Sequence, residues 1–213
     1  MRSILTSGFA FTMMLSSACL AQEWEVAALG GFAWNNNASI VNPTGTAQVG
    51  MENRVAFGAS FTQNKYRHVS GEIRYMFLAG DPLLRFQGIE AKTSGYANLV
   101  HYDLLFHPRL TEERFRPYVA AGGGVKVYSG TGRSFFEQPL LNFALLRPVN
   151  QAEPLISLGG GIKYRVKRHV QLQLDFRTYL SPTPDSLFRA NLVSRIQGWI
   201  FDFVPTLGVS YTF

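Results

Sequence analysis

The chain has little cysteine, little charge and no long apolar run beyond its first residues. Cys19 is the only cysteine among 213 residues, so no cysteine cluster is available to ligate a metal. Charged residues make up 16% of the sequence, and no Lys/Arg cluster is interleaved with stacking aromatics, so the net charge of +6 does not predict a nucleic-acid partner. After the first 21 residues, no apolar stretch has the length of a membrane-spanning helix.

The first 21 residues have the pattern of a secretory signal peptide. A positive start precedes Ile4–Ser17, which is apolar but too short to span a bilayer, and Cys19-Leu20-Ala21 places small residues at the cleavage site. We therefore expect a mature chain of one domain that begins at Gln22 and ends at Phe213. A lipoprotein signal with Cys19 acylated is the competing interpretation. It is disfavoured because Leu15 lies four residues before the cysteine instead of three.

Aromatic residues are abundant, and they recur at alternate positions. Phe201–Phe213 alternates strictly between an apolar and a polar face, the pattern of a β-strand between two environments. Seven further segments can be read as strands, and their lengths fit the roughly 9–11 residues of a tilted membrane strand. The eight predicted strands are Trp24–Trp34, Val49–Phe61, Val69–Phe77, Tyr96–Phe106, Pro117–Tyr128, Leu155–Val166, Val170–Leu180 and Phe201–Phe213.

The connections between these strands alternate in length. Three are short: Thr62–His68, His107–Arg116 and Lys167–His169. Four are long: Asn35–Gln48, Leu78–Gly95, Ser129–Pro154 and Ser181–Gly198. Short turns on one rim and long loops on the other are typical of outer-membrane barrels. The sequence predicts an all-β fold, an eight-stranded antiparallel up-and-down transmembrane barrel.

The charged residues predict which face of each strand points inward. A cation that faces lipid at mid-membrane costs about 2–4 kcal/mol, so the polar face must line the lumen. Because eight strands leave room only for side chains, we expect a packed core of ion pairs instead of a pore, with Lys163 and Arg165 near Asp175 and Arg177 across a short turn. The predicted lumen network is Glu52, Arg54, Glu72, Arg74, His101, Asp103, Lys163, Arg165, Asp175, Arg177 and Asp202.

The whole mature chain resembles the small eight-stranded OmpA-like barrels. The resemblance includes Arg116-Pro117-Tyr118 at the start of the fifth segment and the ending Ser210-Tyr211-Thr212-Phe213. It implies a monomer with both termini in the periplasm, four surface loops and a C-terminal assembly signal read by the barrel-assembly machinery. That signal consists of Leu207, Val209, Tyr211 and Phe213. The peptidoglycan-binding domain of OmpA has no counterpart in this chain, so a cell-wall-tethering role is not implied.

Two glycine triplets and four histidines are the remaining candidates for chemistry. Gly122–Gly124 and Gly159–Gly161 lack the Lys-Ser/Thr that follows a phosphate-binding loop, so we interpret them as bends or as room for large lumen side chains. His101 is expected in the lumen beside Asp103. With no serine clearly placed near this pair, structural hydrogen bonding is favoured over a catalytic dyad. The other histidines, none at a metal-ligand spacing, are expected at the short-turn rim: His68, His107 and His169.

The third and fourth long loops are unusually apolar. We expect them to pack on each other and cover the barrel, with a short helix at Leu187–Ile196, although an apolar recognition patch is the alternative. Arginines on these loops, Arg195 among them, would suit lipopolysaccharide phosphates or be ordinary solvated charges. The candidate recognition residues are Arg133, Phe135, Phe136, Phe143, Arg147, Phe188 and Arg189.

Together these patterns predict an exported barrel of the Gram-negative outer membrane with a structural or surface-recognition role. We expect no catalytic residue, metal or cofactor, and the expected partners are outer-membrane lipids including lipopolysaccharide. The alternatives are an enzyme that modifies lipid A and a narrow channel. The first would need a His/Ser or Asp/His/Ser set on the lipid-facing, loop-side ends of strands. The balanced lumen charges argue against the second.

Overall fold

The computed structural model describes residues 24–110, 113–131, 140, 142–190 and 194–213. The expected signal peptide, residues 1–21, lies outside this part of the chain. The described residues form strands, turns and bends, and none of them forms a helix that could cross a bilayer. The strands, numbered along the chain, are β1 (Trp24–Asn36), β2 (Ala38–Asn42), β3 (Gly45–Met51), β4 (Arg54–Gln63), β5 (Val69–Ala79), β6 (Pro82–Phe86), β7 (Ile89–Lys92), β8 (Gly95–Phe106), β9 (Phe115–Gly130), β10 (Ala144–Leu146), β11 (Asn150–Arg165), β12 (Val170–Pro182), β13 (Phe188–Ala190), β14 (Arg195–Gln197) and β15 (Trp199–Thr212).

Eight of these strands close into an antiparallel barrel, so the predicted fold class is confirmed. Neighbours in the barrel are neighbours along the chain, in the order β1-β15-β12-β11-β9-β8-β5-β4. The first and last strands complete the ring. Backbone hydrogen bonds of 2.9 and 3.3 Å join Phe213 and Trp24 where these strands meet. Closure removes the free edges that an open sheet would present.

The two faces of the barrel wall have opposite character. Outward side chains are aliphatic and aromatic, and those of the proposed C-terminal signal point outward with exposed fractions of 53–69%. Aromatic pairs lie near both rims, as with Trp24 stacked on Phe61 at the short-turn end and Phe77 against Tyr96 at the long-loop end. An apolar wall between two aromatic girdles is the surface that a membrane barrel presents to lipid.

The second predicted strand, Val49–Phe61, is two strands in the structure. The chain leaves β3 at Met51 and starts β4 at Arg54, and the two belong to different sheets. Alternation continues through both strands, so the side-chain pattern alone does not show the break.

The long loops form a second layer of structure above the barrel, which we call the loop head. A five-stranded sheet, β14-β2-β3-β6-β7, takes strands from the first, second and fourth loops. A two-stranded sheet, β10-β13, pairs the third loop with the fourth. The prediction that these loops pack together is confirmed for the described residues. The helix predicted at Leu187–Ile196 is wrong, since β13 and β14 lie in that range with residues 191–193 outside the described part.

Candidate functional site: the lumen charges and the loop head

The lumen contains a buried cluster of two arginines and three carboxylates at its centre. Arg74 donates to both carboxylate oxygens of Asp175, at 3.2 and 2.9 Å, and its Nε lies 3.0 Å from Glu72 Oε1. Arg177 also donates to Asp175 and to Glu72. Arg177 further donates to Asp103. The bonds of Arg74 with Asp175 and of Arg177 with Glu72 span the lumen, because β5 and β12 lie apart in the barrel order. The bonds of Arg74 with Glu72 and of Arg177 with Asp175 lie within one strand.

Two further ion pairs lie above and below this central cluster. Lys163 Nζ is 2.7 Å from Glu25 Oε1 towards the short turns. Lys126 Nζ is 2.5 Å from Asp202 Oδ2 towards the loops, and it also lies 4.4 Å from the ring centre of Tyr128. All four charged side chains are fully buried. Since an unpaired charge in such a site is very costly, each pair stabilises the barrel only while it is complete.

Neutral polar groups complete the hydrogen bonding of the central carboxylates. Tyr118 donates its hydroxyl to Asp175, and Gln173 donates to that hydroxyl at 2.7 Å. Ser157 donates to Asp103 Oδ2 at 3.2 Å, and His101 Nδ1 lies 3.1 Å from the same oxygen.

This arrangement brings a serine, a histidine and an aspartate together, and the serine was not predicted from the sequence. Asp103 stands between the other two, whereas nucleophilic catalysis needs the histidine next to the serine. All three residues are at most 2% exposed, so no substrate can reach them. The arrangement fits a structural hydrogen-bond network.

Glycines give the large lumen side chains their room. A methyl group added at Gly159 would lie 2.7 Å from Arg177 Cδ, and one added at Gly161 would lie 2.7 Å from the Tyr118 hydroxyl. At Gly122 and Gly124 it would meet Asp103 and His101. The two triplets lie on the paired strands β9 and β11 but are offset in register, with Gly123 opposite Ile156 and Gly160 opposite Val119.

The predicted lumen network needs three corrections. Glu52 and Arg54 lie at the long-loop rim with side chains 30% and 46% exposed, so their placement in the lumen was wrong. Arg165 is half-buried at the short-turn end of β11. Lys163 bonds Glu25 across the barrel, and Gly161, not Lys163, is the register partner of Asp175. The predicted lumen residues that the structure buries are Glu72, Arg74, His101, Asp103, Lys163, Asp175, Arg177 and Asp202.

Three buried charged residues were not predicted from the sequence: Glu25, Arg116 and Lys126. The alternation of outward and inward side chains along the strands indicates that two of them face the lumen. Glu25 lies between the outward residues Trp24 and Val26, and Lys126 is flanked by Val125 and Val127. Arg116 donates to Asn64 Oδ1 at 3.0 Å near the short turns.

The three remaining histidines are at the short-turn rim, as predicted. His68 Nδ1 lies 2.8 Å from the carbonyl oxygen of His107, and His169 Nδ1 lies 2.8 Å from that of Thr212. The His107 side chain is buried and its ring lies 5.5 Å from that of Tyr118. No group of His, Cys, Asp and Glu in the described part of the chain could hold a metal ion.

The loop head has an apolar core of its own, continuous with that of the barrel. Phe143 and Phe188 are fully buried, and Phe143 packs on Phe86 with ring centres 4.6 Å apart. Phe188 pairs with Leu146 across β10 and β13. These two phenylalanines, predicted as recognition candidates, thus hold the loops together. Arg147 is half-buried, Arg189 is exposed, and Arg133, Phe135 and Phe136 lie outside the described residues.

Beneath the head, a network of exposed charges connects it to the barrel rim. Glu52 accepts from Arg54 at 2.7 Å and from Lys92 at 3.2 Å, and Arg54 also reaches Asp81 at 2.7 Å. Hydrogen bonds from Arg54 and then Lys92 hold the pKa of Glu52 below its usual value. The pKa of Glu90 is lowered in the same way, by Arg85 first and Lys92 second. Bonds to Glu52 and Glu90 raise the pKa of Lys92.

Among the described residues, the side chains of the central cluster and of the two flanking ion pairs fill much of the lumen. A cavity of about 10 Å³ remains among Asn35, Leu78, Ala97, Lys126 and Asp202 near the long-loop rim. This volume holds about one water molecule.

A closed ring of eight antiparallel strands, with short turns at one end and a loop head at the other, is the fold of the small outer-membrane barrels. The chain is similar to the crystal structure of Neisserial surface protein A, with a TM-score of 0.54 and 13% identity over 89% of this chain and 97% of that one. It is similar to the outer membrane protease OmpT from Escherichia coli, with a TM-score of 0.52 and 12% identity over 91% and 97% of the two chains. It is also similar to the outer membrane protein OprG from Pseudomonas aeruginosa, with a TM-score of 0.50 and 16% identity over 90% and 96%.

At such identities the likeness concerns the fold. No family model matches the sequence, and no curated protein matches it. The resemblance to the OmpA-like barrels in particular therefore stays a prediction. The similar structures include a protein named as a protease, so the fold alone does not decide between an enzyme and a non-enzyme.

Proposed function

We propose that the chain is an outer-membrane barrel whose loop head faces the cell exterior and recognises molecules there. The observation that carries the proposal is that strands of the four loops pair into two sheets around a buried core. A head of this kind presents a surface of fixed shape, and binding residues are usually found on connections held by a rigid scaffold.

The outer face of the five-stranded sheet supplies the candidate surface. Its exposed residues are polar or small apolar ones in register with one another: Arg195 lies opposite Val41, and Val41 lies opposite Thr46. Arg195 of this sheet and Arg189 of the two-stranded sheet are exposed, and the planar geometry of their guanidinium groups suits the phosphates of lipopolysaccharide. We therefore extend the proposal to lipopolysaccharide phosphates as a ligand of the head.

The two alternatives receive less support. The central ion pairs and a cavity of about 10 Å³ argue against an open channel. The arrangement of Ser157, Asp103 and His101 is buried, which argues against it as the site of an enzyme that acts on lipid at the loop end.

The orientation can be tested by labelling single cysteines on intact cells. Ile89 is 52% exposed at the tip of the β6–β7 hairpin, and Lys167 is exposed in a short turn at the opposite end. With a membrane-impermeant maleimide, Ile89→Cys should react on intact cells and Lys167→Cys only after lysis. Labelling of Lys167→Cys alone on intact cells would invert the topology and refute the proposal.

The phosphate hypothesis can be tested with purified lipopolysaccharide and protein in lipid nanodiscs. Arg189→Gln/Arg195→Gln should weaken binding by about tenfold for each guanidinium–phosphate interaction that the substitutions remove. The matched control, Arg85→Gln/Lys92→Gln, removes two head cations that are already ion-paired, and it should bind as the native protein does. Equal affinity of all three proteins would show that the head does not use these arginines.

A further inference from the structure

The excess positive charge of the chain is concentrated at one end of the barrel. The long-loop segments 37–54, 80–94, 131–154 and 183–198 contain seven cationic and six acidic residues. The buried lumen contains five residues of each sign. By contrast, the three short turns, 64–68, 107–114 and 166–169, together with Arg165 at the end of β11, contain seven cations and two acids. We call the cations of these turns the turn rim: Lys65, Arg67, Arg109, Arg114, Arg165, Lys167 and Arg168.

The turn rim lies directly beside the aromatic girdle of that end. Six of its seven side chains are exposed and Arg165 is half-buried. The Arg109 guanidinium lies 5.3 Å from the ring centre of Phe115 on β9, and Trp24 of β1 stacks on Phe61 of β4 at 5.0 Å on the other side of the barrel. Such aromatic residues set the depth at which a membrane protein meets the lipid headgroups. The cations are therefore at headgroup level.

We propose that the turn rim binds the phosphate groups of anionic phospholipids in the leaflet that surrounds it. Each Lys or Arg near an anionic membrane surface strengthens the attraction by about fivefold, and clusters of four to eight are typical of anionic-lipid binding. The site is at the end of the barrel opposite the loop head, so the inference goes beyond the proposed function. Its choice of phospholipid over lipopolysaccharide rests on the orientation proposed there.

The length of the turns favours a lipid over a larger anionic partner. The segments between the strands are short, spanning residues 64–68, 107–114 and 166–169. Phosphates of lipopolysaccharide have the same chemistry and are the alternative source. The phospholipid is favoured because short turns face the periplasm in barrels of this kind, away from the lipopolysaccharide leaflet.

The position of Trp24 allows a direct measurement. The chain has three tryptophans, and Trp34 and Trp199 lie on the wall at the long-loop end. In a Trp34→Phe/Trp199→Phe background, the fluorescence of Trp24 reports the lipids next to the turn rim. The folded protein is placed in phosphatidylcholine vesicles that contain a small fraction of brominated phosphatidylglycerol or, in parallel, brominated phosphatidylcholine, and quenching by the two lipids is compared.

We expect the anionic lipid to be enriched on the order of tenfold at low salt. The ratio should approach one at about 0.5 M NaCl, because charges are then screened over a few ångströms. Lys65→Gln/Arg67→Gln/Arg114→Gln/Lys167→Gln should lower the ratio towards one. The matched control, Arg85→Gln/Lys92→Gln/Arg189→Gln/Arg195→Gln, removes four cations from the loop side and should keep the native ratio.

Three outcomes would overturn the proposal. Equal quenching by both lipids in the native protein would show that the rim does not select anionic lipid. A ratio that the turn-rim variant leaves unchanged would place the selection elsewhere. Loss of the enrichment when an equal amount of lipopolysaccharide is added would assign the site to lipopolysaccharide. The salt titration uses the native turn rim, so it remains decisive if the fourfold variant fails to fold.

Discussion

The lumen and the long-loop rim of this molecule both contain arginine–carboxylate pairs, and the water around the two sets differs. Arg177 lies in the lumen between Glu72, Asp103 and Asp175, with no exposed side-chain surface. Arg54 lies at the long-loop rim between Glu52 and Asp81, with 46% of its side chain exposed. The chemistry of the two sites is nearly the same, but only the buried carboxylates lack water to replace a missing partner. Burial therefore decides how much each arginine matters.

The largest effect should come from replacing the buried arginine. Arg177→Met leaves three buried carboxylates with one arginine, and we expect the free energy of unfolding to fall by about 3–5 kcal/mol. The matched variant Arg54→Met should leave it unchanged within error, because water solvates Glu52 and Asp81. Urea titration of the folded barrel in lipid vesicles, followed by gel mobility without boiling, measures both. Equal effects of the two variants would show that the lumen is hydrated and that its charges act independently.

A smaller effect should follow from filling the space beside Arg177. Gly159→Ala places a methyl group 2.7 Å from Arg177 Cδ and against the carbonyl oxygen of Phe176, so side chain and backbone must both shift. We expect a loss of about 1–3 kcal/mol, the usual range for overpacking. Gly30→Ala is the control, because its nearest contact would be Phe57 at 4.0 Å on the outer wall. The same urea titration applies, and a neutral Gly159→Ala would mean that Arg177 has an alternative position.

The smallest effect concerns how the stability of the long-loop rim around Glu52 depends on pH. The pKa of Glu52 is lowered in the folded protein, chiefly by the hydrogen bond from Arg54. Ionised Glu52 therefore stabilises the folded protein at pH values above its unfolded pKa, and this stabilisation is lost as the pH falls through its folded pKa. Acidification from pH 6 to below the folded pKa should loosen the junction of β3 and β4 slightly, while the barrel stays closed. Amide hydrogen exchange at residues 50–55 measures this loosening. Glu52→Gln should remove most of the pH dependence there, and an identical dependence in that variant would assign it to another group.

The barrel could be predicted well from the sequence because the decisive signal is local. Alternation assigns each side chain to a face, and the faces of Glu72, Arg74 and Asp175 were right for that reason. Alternation says nothing about height along the strand. Glu52 and Arg54 were therefore placed in the lumen, although they lie at its rim.

Alternation could not predict which lumen charges pair with each other, nor that the long loops form a head of short strands. Arg74 and Asp175 are 101 residues apart and meet only because the barrel closes with a particular register. The strands of the head are short, three to seven residues, and three of them, β2, β3 and β14, come from opposite ends of the chain. Periodicity over so few residues does not distinguish a strand from a loop, and the apolar residues around Phe188 suggested a helix instead.

The pairing of β14 with β2 has a consequence for the order of assembly. Ser39 lies opposite Gln197, so the sheet of the head joins the first long loop to the last. That contact spans most of the chain, and long-range contacts form slowly because the loop between them must close first. In the barrel, the pairing of β1 with β15 also joins the two ends of the chain, and these strands directly precede β2 and follow β14. The head therefore acquires its final strand only when the barrel is completing its ring. Until then the apolar core of the head lacks β14, so a chain stalled in assembly differs from a finished one in the exposure of that core.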